Sequence, residues 1–301
     1  MSDEHSPLPF TGERFTPECV REIWYEHWHR YAFARGIATG KRVLDAACGE
    51  GYGSALLAQV AAEVVGVDID AASVEHARAR YASNPKLSFE RADAAKLPFA
   101  DCSFDVIVSF ETLEHLAEQE QMIAGFARVL RDDGVLLVSS PDKHTYSEVS
   151  GFRNEFHVRE LYRDELLDLL RPHFQDVRLY GQKLLFQSVL WNLEAPPRNN
   201  ELWTAERSGG SLNAGLDYAP LYFIAACSKS SPTTALPDLS LFGDRGESVY
   251  EHYNHEIRKN MSAGARIAEL EAEIAELRAA AQTQAPSAQQ SGGWRWWRRR
   301  R

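Results

Sequence analysis

No stretch of this chain stays apolar for the roughly 18 residues that a membrane-spanning helix needs, so none is expected. The opening Met1-Ser-Asp-Glu-His5 is polar and acidic and lacks the apolar core of a secretory signal. The cytoplasm is therefore the expected compartment. Cysteine is scarce. The four present (Cys19, Cys48, Cys102 and Cys227) form no Cys-x-x-Cys pair, and none lies at zinc-ligand spacing from a histidine. They read as free thiols. Positive charge is also thin outside the last eight residues. The chain carries −10 overall, and setting aside its five terminal arginines leaves −15 on residues 1–293. So acidic a body disfavours nucleic acid as a partner.

What is present is alternation. Residues 1–40 read as an aromatic N-terminal cap, with Ile23, Trp24, His27, Trp28, Tyr31 and Ala34–Arg35 at helical spacing. Strands are expected at 42–46, 64–67, 87–91, 104–110 and 134–140. Helices are expected from the glycine turn to about 62, at 73–81, at 113–130 and at 164–170. Two further strands fit 174–180 and 221–227, the last of them antiparallel. This order predicts an α/β fold, a three-layer and mostly parallel sheet with right-handed crossovers. The main domain is placed at 41–228. Its stretch 182–219 is long and irregular, as an active-site lid would be. A linker is expected at 229–246.

The most informative segment is Val43-Leu-Asp-Ala-Ala-Cys-Gly-Glu-Gly-Tyr-Gly53. A strand ends near Asp45, three spaced glycines follow, and a helix begins. Glycines let the backbone turn sharply and approach a ligand closely. A helix N-terminus adds free N–H groups. Asp68 ends the next strand, where a carboxylate can accept both hydroxyls of a ribose. A phosphate-binding P-loop would need Lys-Ser/Thr after its last glycine, and none is there. A dinucleotide loop prefers G-x-G-x-x-G and carries no acid just before it. Asp45 would repel a pyrophosphate but suits a ligand bearing an ammonium group.

This pattern resembles the class I (Rossmann-like) S-adenosylmethionine-dependent methyltransferases. Val43–Gly53 resembles the family's first motif, with Ala47 in place of its usual first glycine, a mild change in size. Val64-Val-Gly-Val-Asp-Ile-Asp70, Ala92-Asp93-Ala94, Phe104–Phe110 and Arg128–Gly134 resemble the next four, in order. The resemblance implies S-adenosylmethionine as cofactor and S-adenosylhomocysteine as product. It implies a cofactor site of Asp45, Ala47, Cys48, Gly49, Gly51, Asp68, Ile69, Asp93, Ala94 and Phe110, closed by Tyr31.

Acceptors bind beyond the carboxyl ends of the strands in such folds. Glu111-Thr-Leu-Glu114-His115 follows the fourth strand. His115 with Glu114 is a candidate base and orienting group, and His157 is a second candidate base. Glu111, Glu114 and His115 also resemble the E-x-x-E-H of quinone-biosynthesis O-methyltransferases, where it is associated with a divalent ion. The sequence reading nonetheless assigns no metal. Thr11–Pro17, His27–Phe33 and Ser139–Glu160 resemble methyltransferases encoded among bacterial surface-glycan genes. That implies a sugar, nucleotide-sugar or glycan acceptor, with Arg14, Arg30 or Arg153 pairing with acidic groups and Arg14 and Tyr31 facing the cleft. A non-catalytic assembly protein that keeps the fold is the competing reading.

The C-terminal part differs in kind. A helix is expected at 247–282, with Ile267, Leu270, Ile274 and Leu277 on a short coiled-coil seam suited to a homo-oligomer. Residues 283–301 are a low-complexity linker and a Trp/Arg tail. That tail suits an anionic membrane surface at the cytoplasmic face, or an acidic partner.

Overall fold

The computed structural model describes residues 22–190, 192–194, 201–205, 212–230 and 236–284. The expected Thr11–Pro17 contacts, Arg14, Cys19 and the Trp/Arg tail lie outside the described residues.

A helix, α1 (Glu22–Ala38), precedes the sheet. The chain then runs β1 (Arg42–Ala46), α2 (Tyr52–Ala58), β2 (Glu63–Asp68), α3 (Ala71–Arg80), β3 (Leu87–Arg91) and β4 (Phe104–Ser109). It continues through α4 (Gln119–Val129), β5 (Leu130–Pro141), α5 (Arg163–Leu170), β6 (Asp176–Gln182), a short hairpin of β7 (Trp203–Ala205) and β8 (Leu212–Ala214), and β9 (Tyr222–Ser228). Seven strands form one sheet in the order β3-β2-β1-β4-β5-β9-β6. All are parallel except β9, which runs antiparallel to both β5 and β6. This is the expected α/β sheet with its antiparallel last strand.

Alternation within the buried strands fills both faces. Leu44 and Ala46 face α4 and α5, with Met122, Phe126 and Leu166. Val43 faces α1 and α2, with Ala34 and Leu57. Such two-sided burial is why these strands read as near-continuous apolar runs.

Three regions depart from expectation. The single helix expected at 113–130 is broken into a 3₁₀ turn (Leu113–His115) and α4. Its carbonyls bond elsewhere: Gln119 Nε2 donates to Leu113 O at 2.8 Å, and the Val158 and Arg159 amides donate to Glu114 O. The stretch expected as a free linker at 229–246 is partly tied down. Leu236 is buried, Phe242 packs on Trp24, and Ser240 Oγ lies 2.9 Å from His29 Nε2. The irregular 182–219 stretch contains the β7–β8 hairpin.

The chain divides into two compact units between Asp244 and Arg245. The second contains one long helix, α6 (Ser248–Gln284). Among the described residues, no helix is long and apolar enough to cross a membrane.

Candidate active site

Strand order reverses at β1, which pairs with β2 on one side and β4 on the other. The crevice outside the carboxyl ends of these strands is where ligands bind in open α/β sheets. Two non-glycine residues with left-handed backbone sit on its rim. Ala47 follows β1 at φ 61°, and Glu111 follows β4 at φ 51°. Strain of this kind costs about 1–3 kcal/mol and collects at functional sites. The exchange of glycine for alanine at 47 is therefore not mild. Its volume is small, but its conformation is one that glycine tolerates better.

The glycine loop is locked in place. The Cys48 amide donates to Val67 O at 2.9 Å, and the Gly49 amide donates to Asp68 Oδ2 at 2.8 Å. Asp68 Oδ1 accepts from the Asp70 amide. A Cβ built on Gly53 would lie 1.9 Å from the Tyr31 ring, so only glycine lets that ring pass. Tyr31 thereby reaches Asp45 Oδ1 at 3.1 Å, while Ser54 Oγ donates to Asp45 Oδ2 at 2.6 Å. Asp45 has no exposed surface, and burial pushes its carboxyl up to about 7. The sequence expectation of a carboxylate open to a ligand's ammonium does not hold here. Asp45 lies beneath the loop and ties it to α1 and α2. Tyr31, expected to face the cleft, is itself buried.

On the other side of the crevice, Arg30 is buried inside the protein. Its Nε donates to Gln182 Oε1 at 2.8 Å, its Nη2 lies 3.3 Å from Glu111 Oε1, and its guanidinium sits 4.6 Å over the Tyr222 ring. Arg30 is thus tied to internal partners through Nε and its ion pair, yet among the described residues neither Nη atom has a hydrogen-bond partner, and the side chain also borders the adjoining cavity. Burial pushes the neighbouring Glu26 carboxyl up to about 7. Arg153 is exposed. Ser139 Oγ donates to Glu111 Oε1 at 2.7 Å, which holds Glu111 against the end of β5.

The candidate bases come together. The segment 154–160 is clamped to the 3₁₀ turn through Glu114 O, which sets the His115 and His157 rings 5.0 Å apart. His115 Nδ1 lies 3.1 Å from Phe156 O. His157 Nδ1 lies 2.6 Å from Glu160 Oε1, and its Nε2 lies 2.9 Å from Asn154 Nδ2. A carbonyl or carboxylate on Nδ1 assigns the proton there and leaves a lone pair on Nε2. Glu114 is fully buried, and among the described residues neither carboxylate oxygen has a hydrogen-bond partner. Burial, reinforced by nearby Glu111, pushes its carboxyl well above the usual range. One ligand atom each from Glu114, His115 and His157 fall within 4.8 Å of one another. Glu111, the other acid of the E-x-x-E-H string, is outside this cluster.

Beside this side of the crevice lies a cavity of about 1030 Å³. Its walls include Tyr25, Arg30, Asp142, Tyr162, Gln182 and Tyr218. The glycine loop, Asp68 and Asp93 do not line it.

Residues 44–138 match a protein-family profile described as a methyltransferase domain. A Mycolicibacterium smegmatis protein named a probable S-adenosylmethionine-dependent methyltransferase is 44% identical over 168 residues, 55% of this chain and 64% of that protein. An O-methyltransferase of Aspergillus sclerotiorum is 30% identical over 177 residues, 54% of this chain and 67% of that protein. The fold is shared with a chain in the complex between the Haloferax volcanii Trm112 methyltransferase activator and its methyltransferase. There the TM-score is 0.51 at 19% identity, over 68% of this chain and 90% of that one. The chain belongs to the class I S-adenosylmethionine-dependent methyltransferase family. It spans just under two thirds of the M. smegmatis relative's length.

The residues present fit that family's cofactor. Asp68 is half-buried at the end of β2, and Ile69 beside it is 63% exposed, a large apolar side chain turned to solvent where an adenine face needs one. Asp93, after β3, is half-buried and accepts from the Ala95 amide at 2.9 Å, while Ala94 is buried. Phe110, after β4, meets the Tyr31 ring edge-on at 5.2 Å. Sequence reasoning missed the contributions of Ser54, Gln182, Tyr222, Asn154 and Glu160. Only Glu160 left a trace, as a carboxylate three residues after a candidate base.

Proposed function

We propose that this methyltransferase O-methylates a hydroxyl of a sugar or glycan acceptor in bacterial surface polysaccharide biosynthesis. The observation that carries the O-methylation reading is the His157–Glu160 pair. It stands beside the β4 end with Nδ1 tied to a carboxylate and Nε2 carrying a lone pair. Alkyl hydroxyls need proton removal to become nucleophiles, and a histidine so oriented supplies it. Support for a sugar is of a different kind. The cavity bordered by Arg30 sets tyrosine rings among many polar and charged side chains, which suits a ring with an apolar face and hydroxyl edges.

Bound S-adenosylmethionine supplies an electrophilic methyl group. Asp68 would hold its ribose, Asp93 and Ile69 its adenine, and the Ala47–Gly51 backbone its amino-acid end. His157 Nε2 accepts the acceptor's proton as the hydroxyl takes the place of the Asn154 amide. Glu160 keeps the imidazole in the required tautomer and stabilises the imidazolium that forms. Glu111 is held at the end of β4 by Ser139 and Arg30.

Calorimetric titration with S-adenosylmethionine tests the cofactor part. Wild type is expected to bind at micromolar affinity, and Asp68→Ala to lose about 100-fold or more. A folded wild-type protein that does not bind would remove the enzyme reading. Assays against glycan and nucleotide-sugar acceptors then test the substrate class.

The clustering of Glu114, His115 and His157 favours a second reading, a small-molecule O-methyltransferase assisted by a divalent ion. Chelator-sensitive turnover supports it, and turnover indifferent to EDTA removes it.

A further inference from the structure

Helix α6 turns its most apolar stripe to water. Ile267, Leu270, Ile274 and Leu277 are 56%, 40%, 47% and 63% exposed. Apolar side chains in such a stripe ordinarily mark the face that another element covers. The four fall at alternating steps of three and four residues, the a and d positions of a heptad. Taken one heptad towards the N-terminus, the same register places Asn260 at a and Ala263 at d, still within the helix.

The composition of this seam names its occupant. Isoleucine at a with leucine at d is the combination that favours two parallel strands. Arg266 and Glu273 then occupy g positions, and Glu271 and Arg278 occupy e positions. In a parallel pair each g residue meets the e residue five positions later on the other strand. Arg266 meets Glu271 of the second copy, and Glu273 meets Arg278 of the second copy. Symmetry repeats both contacts, and every one joins opposite charges. Arg266 now bonds Glu269 on its own helix at 2.8 Å, an exposed contact that holds it weakly. Asn260 fixes direction and register. Its amide meets its own copy only when the strands are parallel and unshifted, and a lone asparagine at an a position selects that arrangement.

We propose that α6 docks a second copy of this chain as a parallel, in-register, two-stranded coiled coil. On the glycan reading above, and only on it, two linked catalytic units suit an acceptor with repeating sites, because the second engages at high local concentration. The coiled coil itself does not depend on that reading.

Light scattering on the 301-residue chain tests the mass, with twice 33.9 kDa expected. The double variant Leu270→Glu/Ile274→Glu is expected to run as a monomer with its thermal unfolding transition retained. Leu270→Cys is expected to form a covalent dimer under mild oxidation, beyond any formed by wild type through its native thiols. A monomeric wild type at high micromolar concentration overturns the proposal, and so does a dimer that survives the double variant. A dimer that Leu270→Cys fails to cross-link overturns the parallel, in-register pairing.

Discussion

The ends of β1 and β2 and the ends of β4 and β5 border one crevice, yet they are finished differently. On the first side Asp45 is fully buried, and both its oxygens accept from protein hydroxyls. On the second side Glu114 is equally buried, and among the described residues neither oxygen has a hydrogen-bond partner. The first arrangement is a completed frame whose acid positions a loop. The second leaves an unsatisfied acid next to two histidines, a cost a fold retains where function requires it. The contrast leads us to propose that binding geometry is built in advance on the first side and that the second holds the groups that react.

The sharpest test of that division is His157→Ala. Loss of a positioned base lowers kcat by about 10²–10⁴-fold. Because His157 belongs to the second side, S-adenosylmethionine affinity is expected to stay within about twofold by calorimetry. If turnover survives, or if cofactor binding falls together with kcat, the two sides are not separate in function. Glu160→Gln keeps the shape of the orienting group and removes its charge. A smaller loss is expected there, about 10–100-fold, accompanied by a shift of the alkaline-rising limb of the pH–rate profile. A purely structural glutamate would not move that limb.

Asp45 supplies the complementary test on the first side. Its folded carboxyl titrates near 7 against an ordinary 3.8. At low pH it is protonated in both folded and unfolded chains and has no effect on stability. As pH rises from about 4 to about 7 the unfolded chain ionises first, so folding loses stability, by at most about 4 kcal/mol. Above that range no further loss accrues. Asp45→Asn keeps an acceptor for Ser54 and Tyr31 and removes the titration. Its melting temperature relative to wild type is therefore expected to be more favourable at pH 8 than at pH 5. An equal difference at both values would mean that Asp45 is ionised throughout, as a carboxylate held ready for a cationic ligand would be.

Gly53→Ala attacks the same frame sterically. The added methyl would overlap the Tyr31 ring, and forcing an extra methyl into a packed site costs about 1–3 kcal/mol. Thermal unfolding measures the loss. In the Tyr31→Ala background most of it should vanish, because the ring that makes the clash is gone. Additive losses would place the strain elsewhere.

The same contrast explains what the sequence could disclose. The limits of β1 were readable residue by residue, because an apolar run ending at an acid and a glycine turn is a local signal; β3, Leu-Ser-Phe-Glu-Arg, was readable from its place in the strand–helix alternation. Asp68, Ile69 and Asp93 stand at strand ends for the same reason. The second side is assembled from afar. Gln182 meets Arg30 across 152 positions, and Asn154, His157 and Glu160 reach His115 only because Val158 and Arg159 bond to Glu114 O. No periodicity encodes such a contact. Identical logic broke the helix expected at 113–130, since the Glu114 carbonyl was claimed by Val158 and Arg159, some 45 residues downstream.

The smallest expected effect lies where local reading was closest and still misjudged the residue. Ala47 was legible as a small residue in a turn, but its φ of 61° was not. A left-handed backbone costs an alanine about 1–2 kcal/mol, and glycine escapes that cost while losing about 0.5–1 kcal/mol through its freer unfolded chain. Ala47→Gly should therefore gain a few tenths to about 1 kcal/mol, a rise of roughly 1–3 °C in melting temperature. Cofactor affinity is the more telling readout. If the strained alanine only tolerates the turn, affinity stays unchanged while stability rises. If the strain holds the loop open for the ligand, glycine relaxes it, and S-adenosylmethionine binds more weakly to a more stable protein. Glu111 at φ 51° is the control across the crevice: Glu111→Gly relieves the same backbone strain but also removes the carboxylate that Arg30 and Ser139 hold. There the strain relief and the lost contacts oppose each other, so a net gain in stability is expected at 47 and not at 111.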